Sequence, residues 1–345
     1  MHFGVYQRGF KNCANYSKDF VMFIVLGTTT IDLFVSGIDK MPRFDGDEYT
    51  VSSLAWCSNP LTMTCGGNAA NSAYVLAALG AHTALCSALG DDLLGEMMAG
   101  WLTARGVDLR GVQRSAEYAT STNTTLLDER LNRLNFYHPG ALVHLRAEDA
   151  PPGFFASAST LLITSYPIMK GYRREGYRTI LSAAKAAGAT TALDIGPAIG
   201  EPVTVAELRP LLPMVDYLIT NDYELGQCTG CATLDDGAAA LLRAGARHVI
   251  VKRGKDGATA YRADAEALLV EGFPIKASVT VGAGDSFNAG FLFALGEGQP
   301  LADALRFGNA TAAMVVATGK SVLGAPTRSE VEAFMRAKNQ MHIGL

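Results

Sequence analysis

The chain has 345 residues, of which 49% are hydrophobic and 18% charged, with 36 glycines and 13 prolines; such a composition suits about two domains or one large α/β domain with an insertion, and excludes disordered, collagenous and low-complexity classes. The net charge of −4 comes with scattered rather than clustered Lys and Arg, so the electrostatic footprint of a nucleic-acid or anionic-membrane binder is missing, while a small anionic ligand stays open. The six cysteines (Cys13, Cys57, Cys65, Cys86, Cys228 and Cys231) do not make a disulfide framework in a chain this long, and free thiols point to a reducing compartment, the cytoplasm.

Residues 1–21 are polar and mixed, lack an apolar h-region before a small-residue cleavage site, and read as an N-terminal tail. Residues 23–27, β-branched and aromatic with a closing glycine, predict a buried strand. No helical period runs through 33–64. Over residues 68–79 the positions Ala69, Ala70, Ala73, Leu76 and Ala77 recur at three- and four-residue spacing, the face of a helix. From Tyr49 to Gly90 there is no Lys, Arg, Asp or Glu, yet Pro60, Gly66, Gly67, Asn68, Asn71, Gly80 and His82 interrupt the run; it reads as a buried loop, helix and strand rather than a membrane span. A strand over 83–89 and a helix over 93–105, stopped by Gly106, follow.

Residues 118–138 are rich in Thr and apolar residues around the charged Asp128, Glu129 and Arg130, the pattern of a hairpin with a polar turn. Together with 33–64 it predicts a small β element outside the main sheet. From 160 onward, strands at 161–164, 191–194, 217–220 and 248–252 alternate with helices at 173–187, 205–211 and 234–244, which implies parallel βαβ crossovers. Helices at 283–295, 301–317 and 329–338 close the chain. Cys228 and Cys231 have redox or zinc spacing, but no second Cys/His pair accompanies them, and two free thiols in a short loop is the simpler reading.

The chemistry concentrates in Val281-Gly282-Ala283-Gly284-Asp285-Ser286-Phe287-Asn288-Ala289-Gly290, a glycine-rich turn running into a small-residue helix. Glycine admits a ligand close to the backbone, and first-turn helix amides form an anion site reinforced by the helix dipole, so a phosphoryl group is the natural occupant. An acid in that turn is either a base that removes a proton from an attacking hydroxyl, or an ordinary N-cap; the fragment alone leaves both open. Neither the Walker pattern nor a dinucleotide-binding glycine spacing fits.

Gly282-Ala283-Gly284-Asp285 with the following Ser-Phe-Asn-Ala-Gly resembles the C-terminal signature of the ribokinase-like (PfkB) carbohydrate and nucleoside kinases. Gly66-Gly67-Asn68-Ala69-Ala70-Asn71 resembles that family's N-terminal signature, and Asn221-Asp222-Tyr223-Glu224 its Asn-x-x-Glu motif. The three stand in the family's order over residues 22–340. The resemblance implies a three-layer α/β sandwich with a mostly parallel central sheet, a β lid from about 33–64 and 118–140, and a homodimer formed through the lid. It implies an ATP- and Mg2+-dependent transfer of the γ-phosphate to a primary hydroxyl.

On the same basis Asp285 is the expected base, and the amides of Gly282, Ala283 and Gly284 the anion hole. Asp32 is expected to hold a vicinal diol, with Gly66, Gly67, Asn68, Asn71 and Tyr166 also on the acceptor side. Asn221 and Glu224 are expected to organise Mg2+, largely through water. Lys252, Gly254, Gly257 and Asn309 complete the nucleotide side, Lys252 standing where Thr or Ser is common and contacting phosphate. Val279 stands where the family usually has an Asp that helps hold a monovalent cation, which leaves potassium activation doubtful. A small sugar of the ribose, fructose or keto-deoxy sugar acid type is the first expectation. A nucleoside, with Phe34, Phe136, Tyr137 and Tyr166 forming a slot for its base, is the second, and a catalytically weak sugar-binding regulatory protein, motivated by Val279, is a third.

Overall fold

The computed structural model describes residues 21–43, 46, 50–128, 133–196, 201–275 and 280–343. Residues 1–20 of the expected tail, the hairpin turn at 129–132 and Val279 lie outside the described residues. The strands are β1 (Met22–Leu26), β2 (Thr30–Val35), β3 (Thr62–Gly66), β4 (His82–Gly90), β5 (Asp108–Ser115), β6 (Thr122–Leu127), β7 (Arg133–His138), β8 (Thr160–Ile163), β9 (Thr190–Asp194), β10 (Tyr217–Asn221), β11 (Val249–Lys252), β12 (Ala258–Arg262) and β13 (Ala265–Val270). The helices are α1 (Asn68–Ala78), α2 (Leu93–Ala104), α3 (Glu175–Ala186), α4 (Val205–Leu208), α5 (Asp222–Thr229), α6 (Leu234–Arg243), α7 (Ala283–Gly296), α8 (Leu301–Thr318) and α9 (Arg328–Ile343).

A 9-stranded sheet runs β13-β12-β11-β10-β9-β8-β1-β4-β5. From β11 to β5 every pairing is parallel, as the alternation of strands and helices requires. The central strands read as unbroken apolar runs because both faces are covered. Along β1, Phe23 and Val25 join the core beneath α1, α2, α7, α8 and α9, whereas Ile24 and Leu26 join the core beneath α3, α4, α5 and α6. That alternation makes three layers, as the resemblance implies.

Four elements escaped the sequence reading. β5 is a polar edge strand paired only with β4, and β12 and β13 form an antiparallel edge hairpin beyond β11. Strands with one open edge need no continuous apolar run, so their pattern is weak. Helix α5 begins directly at the end of β10. Cys228 is buried on it, and both Cys228 and Cys231 are free thiols.

The lid is a separate 4-stranded sheet, β3-β2-β6-β7, with β2 and β6 parallel and the other pairs antiparallel. In the main sheet β1 lies between β8 and β4, so the strand order reverses direction there. Ligands of such sheets bind beyond the carboxyl ends of the strands at that switch, and the lid stands over this point because β2 leaves the sheet directly after β1.

Candidate active site

Helix α7 starts at Gly282, which sits in the left-handed region with φ of 79°. A methyl group there would also lie 2.7 Å from Val322 Cγ1, so the turn takes glycine twice over. The Ala283 amide donates to Thr280 O at 3.3 Å. That amide is therefore engaged by the turn itself, and the open first-turn positions of the expected anion hole centre on Gly284.

Asp285 does not cap the helix. It occupies the first turn after Gly282, and its carboxylate crosses to α1, where Oδ1 accepts from Asn68 Nδ2 at 2.9 Å and Oδ2 from Asn71 Nδ2 at 2.8 Å. The N-terminal and C-terminal motifs thus meet at one carboxylate. Burial is the main force on it, raising its pKa from 3.8 to about 6 against the two amide donors and nearby Lys252.

Behind Asn68 a hydroxyl chain fixes the amide. Ser165 Oγ donates to Asn68 Oδ1 at 2.9 Å and lies 2.8 Å from Thr28 Oγ1, which accepts from the Asn68 backbone amide at 3.1 Å. Ser165 has φ of 57°, a strained conformation for a residue other than glycine. Gly67, with φ of 84°, passes so close to Thr28 that a side chain would overlap the Thr28 carbonyl.

Asp32 lies on β2 over Gly66, and a methyl group at Gly66 would overlap its carboxylate. Asn123 on β6 donates to Asp32 Oδ1 at 3.2 Å. Burial raises the Asp32 pKa to about 6, with Asn123 opposing and the Asp285 charge adding to the rise. Asp32, Gly67, Asn68 and Asn123 line a cavity of about 260 Å3 under the lid, together with Thr28, Thr30, Phe34, Thr125, Asn135, Tyr137, Ile168 and Val281.

A second cavity, of about 820 Å3, lies on the other side of the turn and is lined by Lys252, Gly254, Gly257, Thr280, Ala283, Gly284 and Asn309 among others. Val281 faces the small cavity while Thr280, Ala283 and Gly284 face the large one, so the turn is the wall between them. Gly257, with φ of 92°, runs against the backbone of Val270. Asn309 donates to Val270 O and Glu271 O, each at 3.1 Å, and ties α8 to the end of β13. Lys252 projects from the end of β11 onto Asp194, Nζ to Oδ2 2.7 Å.

One expectation changes. Tyr166 does not reach the acceptor cavity: it is fully buried, stacked on Tyr177 with ring centroids 4.6 Å apart, and its hydroxyl donates to Glu207 at 3.2 Å. Asn221 and Glu224 line neither cavity. They form a reciprocal capping box on α5, Glu224 N to Asn221 Oδ1 at 2.8 Å and Asn221 N to Glu224 Oε2 at 3.0 Å. Burial and the Asp194 charge raise Glu224 to about 7. The residues that sequence reasoning missed are Asn123, Thr125 and Asn135 of the lid, and Asp194 and Asn288 behind Lys252. Asp194 had a usable signal, an acid at the carboxyl end of a parallel strand.

The likeness to known proteins agrees with this fold. The solved structure of Arabidopsis thaliana ribokinase complexed with ribose and ATP superposes with a TM-score of 0.76 at 23% identity, covering 91% of this chain and 98% of that one. Thermotoga maritima ribokinase gives 0.76 at 24%, covering 92% and 100%. Among curated proteins, the 5-dehydro-2-deoxygluconokinase of Clostridium tetani (strain Massachusetts / E88) is 26% identical over 83% of this chain and 88% of its own length. The ribokinase of Bacillus subtilis (strain 168) is 28% identical over 90% and 98%. The profile described as pfkB family carbohydrate kinase matches residues 46–328, and with both signature motifs closed around Asp285 the chain belongs to that family, a phosphotransferase acting on a sugar hydroxyl.

Proposed function

We propose that the chain transfers the γ-phosphoryl group of ATP to a primary hydroxyl of a small sugar of the ribose, fructose or keto-deoxy sugar acid type, the sugar lying under the lid and the nucleotide in the larger cavity. The observation that carries this is Asp285, a buried carboxylate that directly follows Gly284 of the large cavity and is held by the amides of Asn71 and of Asn68, the latter a lining residue of the small cavity. Asp285 takes the hydroxyl proton as the new O–P bond forms and the bond from phosphorus to the β–γ bridging oxygen breaks, releasing ADP. Asp32 and Asn123 hold neighbouring hydroxyls and so set which one faces Asp285. The lid keeps water from competing as the acceptor.

The residues present fit the nucleotide and its metal. A side chain at 284 would stand 3.5 Å from Lys252 Nζ, so glycine leaves that space for a phosphoryl oxygen. Asn221 and Glu224, hard oxygen donors outside both cavities, would hold Mg2+ only through waters, and the ion would supply neutralisation of phosphate charge. A sugar is favoured over a nucleoside because only Phe34 and Tyr137 of the four expected aromatic residues line the acceptor cavity, whereas Phe136 is exposed and Tyr166 lies elsewhere.

The outer face of the lid carries Leu61, Met63, Leu134 and Phe136, all exposed, and a second copy of the chain covers it in our reading. Among the described residues no helix is long and apolar enough to cross a membrane; the free thiols suit an enzyme of the cytoplasm. The test is ADP release by purified protein with Mg-ATP against sugars, sugar acids, polyols and nucleosides, with and without potassium. Release with one sugar class supports the reading. Nucleoside-dependent release replaces it, and silence with retained sugar binding moves the chain to a binding role.

A further inference from the structure

We propose that Asp194 and Asn288 are positioning residues of the phosphoryl-transfer site, holding the Lys252 ammonium against the first turn of α7 with one N–H left for a phosphoryl oxygen. The proposal rests on the kinase reading of this site. Lys252 Nζ donates to Asp194 Oδ2 at 2.7 Å and to Asn288 Oδ1 at 3.4 Å. An ammonium has three donors; Lys252 lines the large cavity, and its Nζ lies 3.5 Å from where a Cβ on Gly284 would stand. Asp194 is 2% exposed, and its carboxylate is taken up by protein donors. Its Oδ2 also accepts from Asn288 Nδ2, and its Oδ1 from the Gly196 amide at 3.0 Å.

Both atoms of the carboxylate are therefore committed, and its effect on the reaction passes through Lys252. Asn288 follows Asp285 by three residues on α7, about one turn, so the same bracket fixes the lysine relative to Asp285. Glu224 and Asp285 are the other charged groups acting on Lys252. A purely structural ion pair explains the burial, but not why its lysine faces the opening at Gly284: replacing both partners of such a pair by apolar groups is often neutral for stability.

The experiment compares wild type, Asp194→Asn, Lys252→Met, the double variant and Asn288→Ala, all as the full chain. It reads kcat, KM for ATP, melting temperature, and the affinities for a non-hydrolysable ATP analogue and for ADP. Loss of a charge-assisted bond to the terminal phosphate predicts at least about a 10-fold drop in kcat and in affinity for the analogue, with ADP affinity held within about 3-fold. In the Lys252→Met background, Asp194→Asn is expected to change kcat and analogue affinity by less than about 2-fold. Equal losses from Asp194→Asn in both backgrounds, or no loss in wild type, overturn the proposal. If Asp194→Asn does not fold, Asn288→Ala carries the same comparison. If the wild type releases no ADP with any acceptor, the kinase reading fails, while the preference for analogue over ADP still decides the role of Asp194.

Discussion

Replacing Asp285 by Asn changes one atom type at the meeting point of α1 and α7. In the wild type both carboxylate oxygens accept amide hydrogens, from Asn68 and from Asn71. The carboxamide of Asp285→Asn offers one oxygen and one NH2, so one pair becomes donor against donor at a buried site, which costs about 1–3 kcal/mol. Against this stands the cost of keeping the acid ionised. Its pKa is raised from 3.8 to about 6, so the folded chain binds the proton more tightly, and ionising it at neutral pH costs about 3 kcal/mol relative to the unfolded chain. The sign follows: with a folded pKa above the unfolded one, this acid makes wild-type stability fall as pH rises from about 4 to 6. The two contributions nearly cancel for the variant at neutral pH. Asp285→Asn is thus expected to melt within a few degrees of wild type at pH 8, and to compare less well at pH 5, where the wild type is protonated. Turnover, by contrast, loses its base and falls about 10²- to 10⁴-fold. The assay is coupled ADP release from pH 5 to 9, with melting curves at both ends. Turnover within about 3-fold of wild type would remove Asp285 from the mechanism.

Because Asp32 and Asp285 both ionise near pH 6, kcat/KM for the acceptor is expected to rise through pH 6 and level above it; a flat profile from pH 5 to 8 counts against both roles. Gly66→Ala pushes against the Asp32 carboxylate and is expected to raise the acceptor KM by about 10-fold or more while the KM for ATP stays put; equal changes in both refute the assignment of Asp32 to the sugar. Gly282→Ala combines a left-handed residue with the Val322 contact, and at least about 1–2 kcal/mol of lost stability should appear in denaturant melts. Phe136→Glu places a charge on the outer lid face, and sedimentation is expected to show a dimer turned into a monomer; an unchanged dimer places the contact elsewhere.

The alternation of β1, the small-residue face of α1 and the glycine turn before α7 were legible because each is a local pattern set by backbone geometry and burial. What the turn faces was not, since Asn68 and Asp285 meet across 217 residues; only the resemblance linked them. Tyr166 shows the limit from the other side. An aromatic residue after a strand end reads the same whether it walls a cavity or packs against Tyr177, and only tertiary contacts decide. Asn123 and Thr125 were hidden because β6 has polar residues on both faces, so period-two reading finds no ligand side. Asn221 and Glu224 satisfy a capping box as well as a family motif, and the local rule accounts fully for their geometry.

The charges near Lys252 lead to a last expectation. Three buried carboxylates, Asp194, Glu224 and Asp285, act on this single lysine, so the ionised cluster carries more negative than positive charge before any nucleotide arrives. A triphosphate entering beside it meets repulsion that one ammonium and the dipole of α7 offset only in part. Burial of the acids lowers the dielectric screening and sharpens the conflict. The site is therefore expected to bind ATP well only as its magnesium complex, which arrives with about half the charge. Calorimetry with ATP in EDTA should show at least about 10-fold weaker binding than with excess Mg2+, and Lys252→Met should widen that gap. Equal affinities with and without the metal would mean that Lys252 and the first turn of α7 neutralise the phosphates alone.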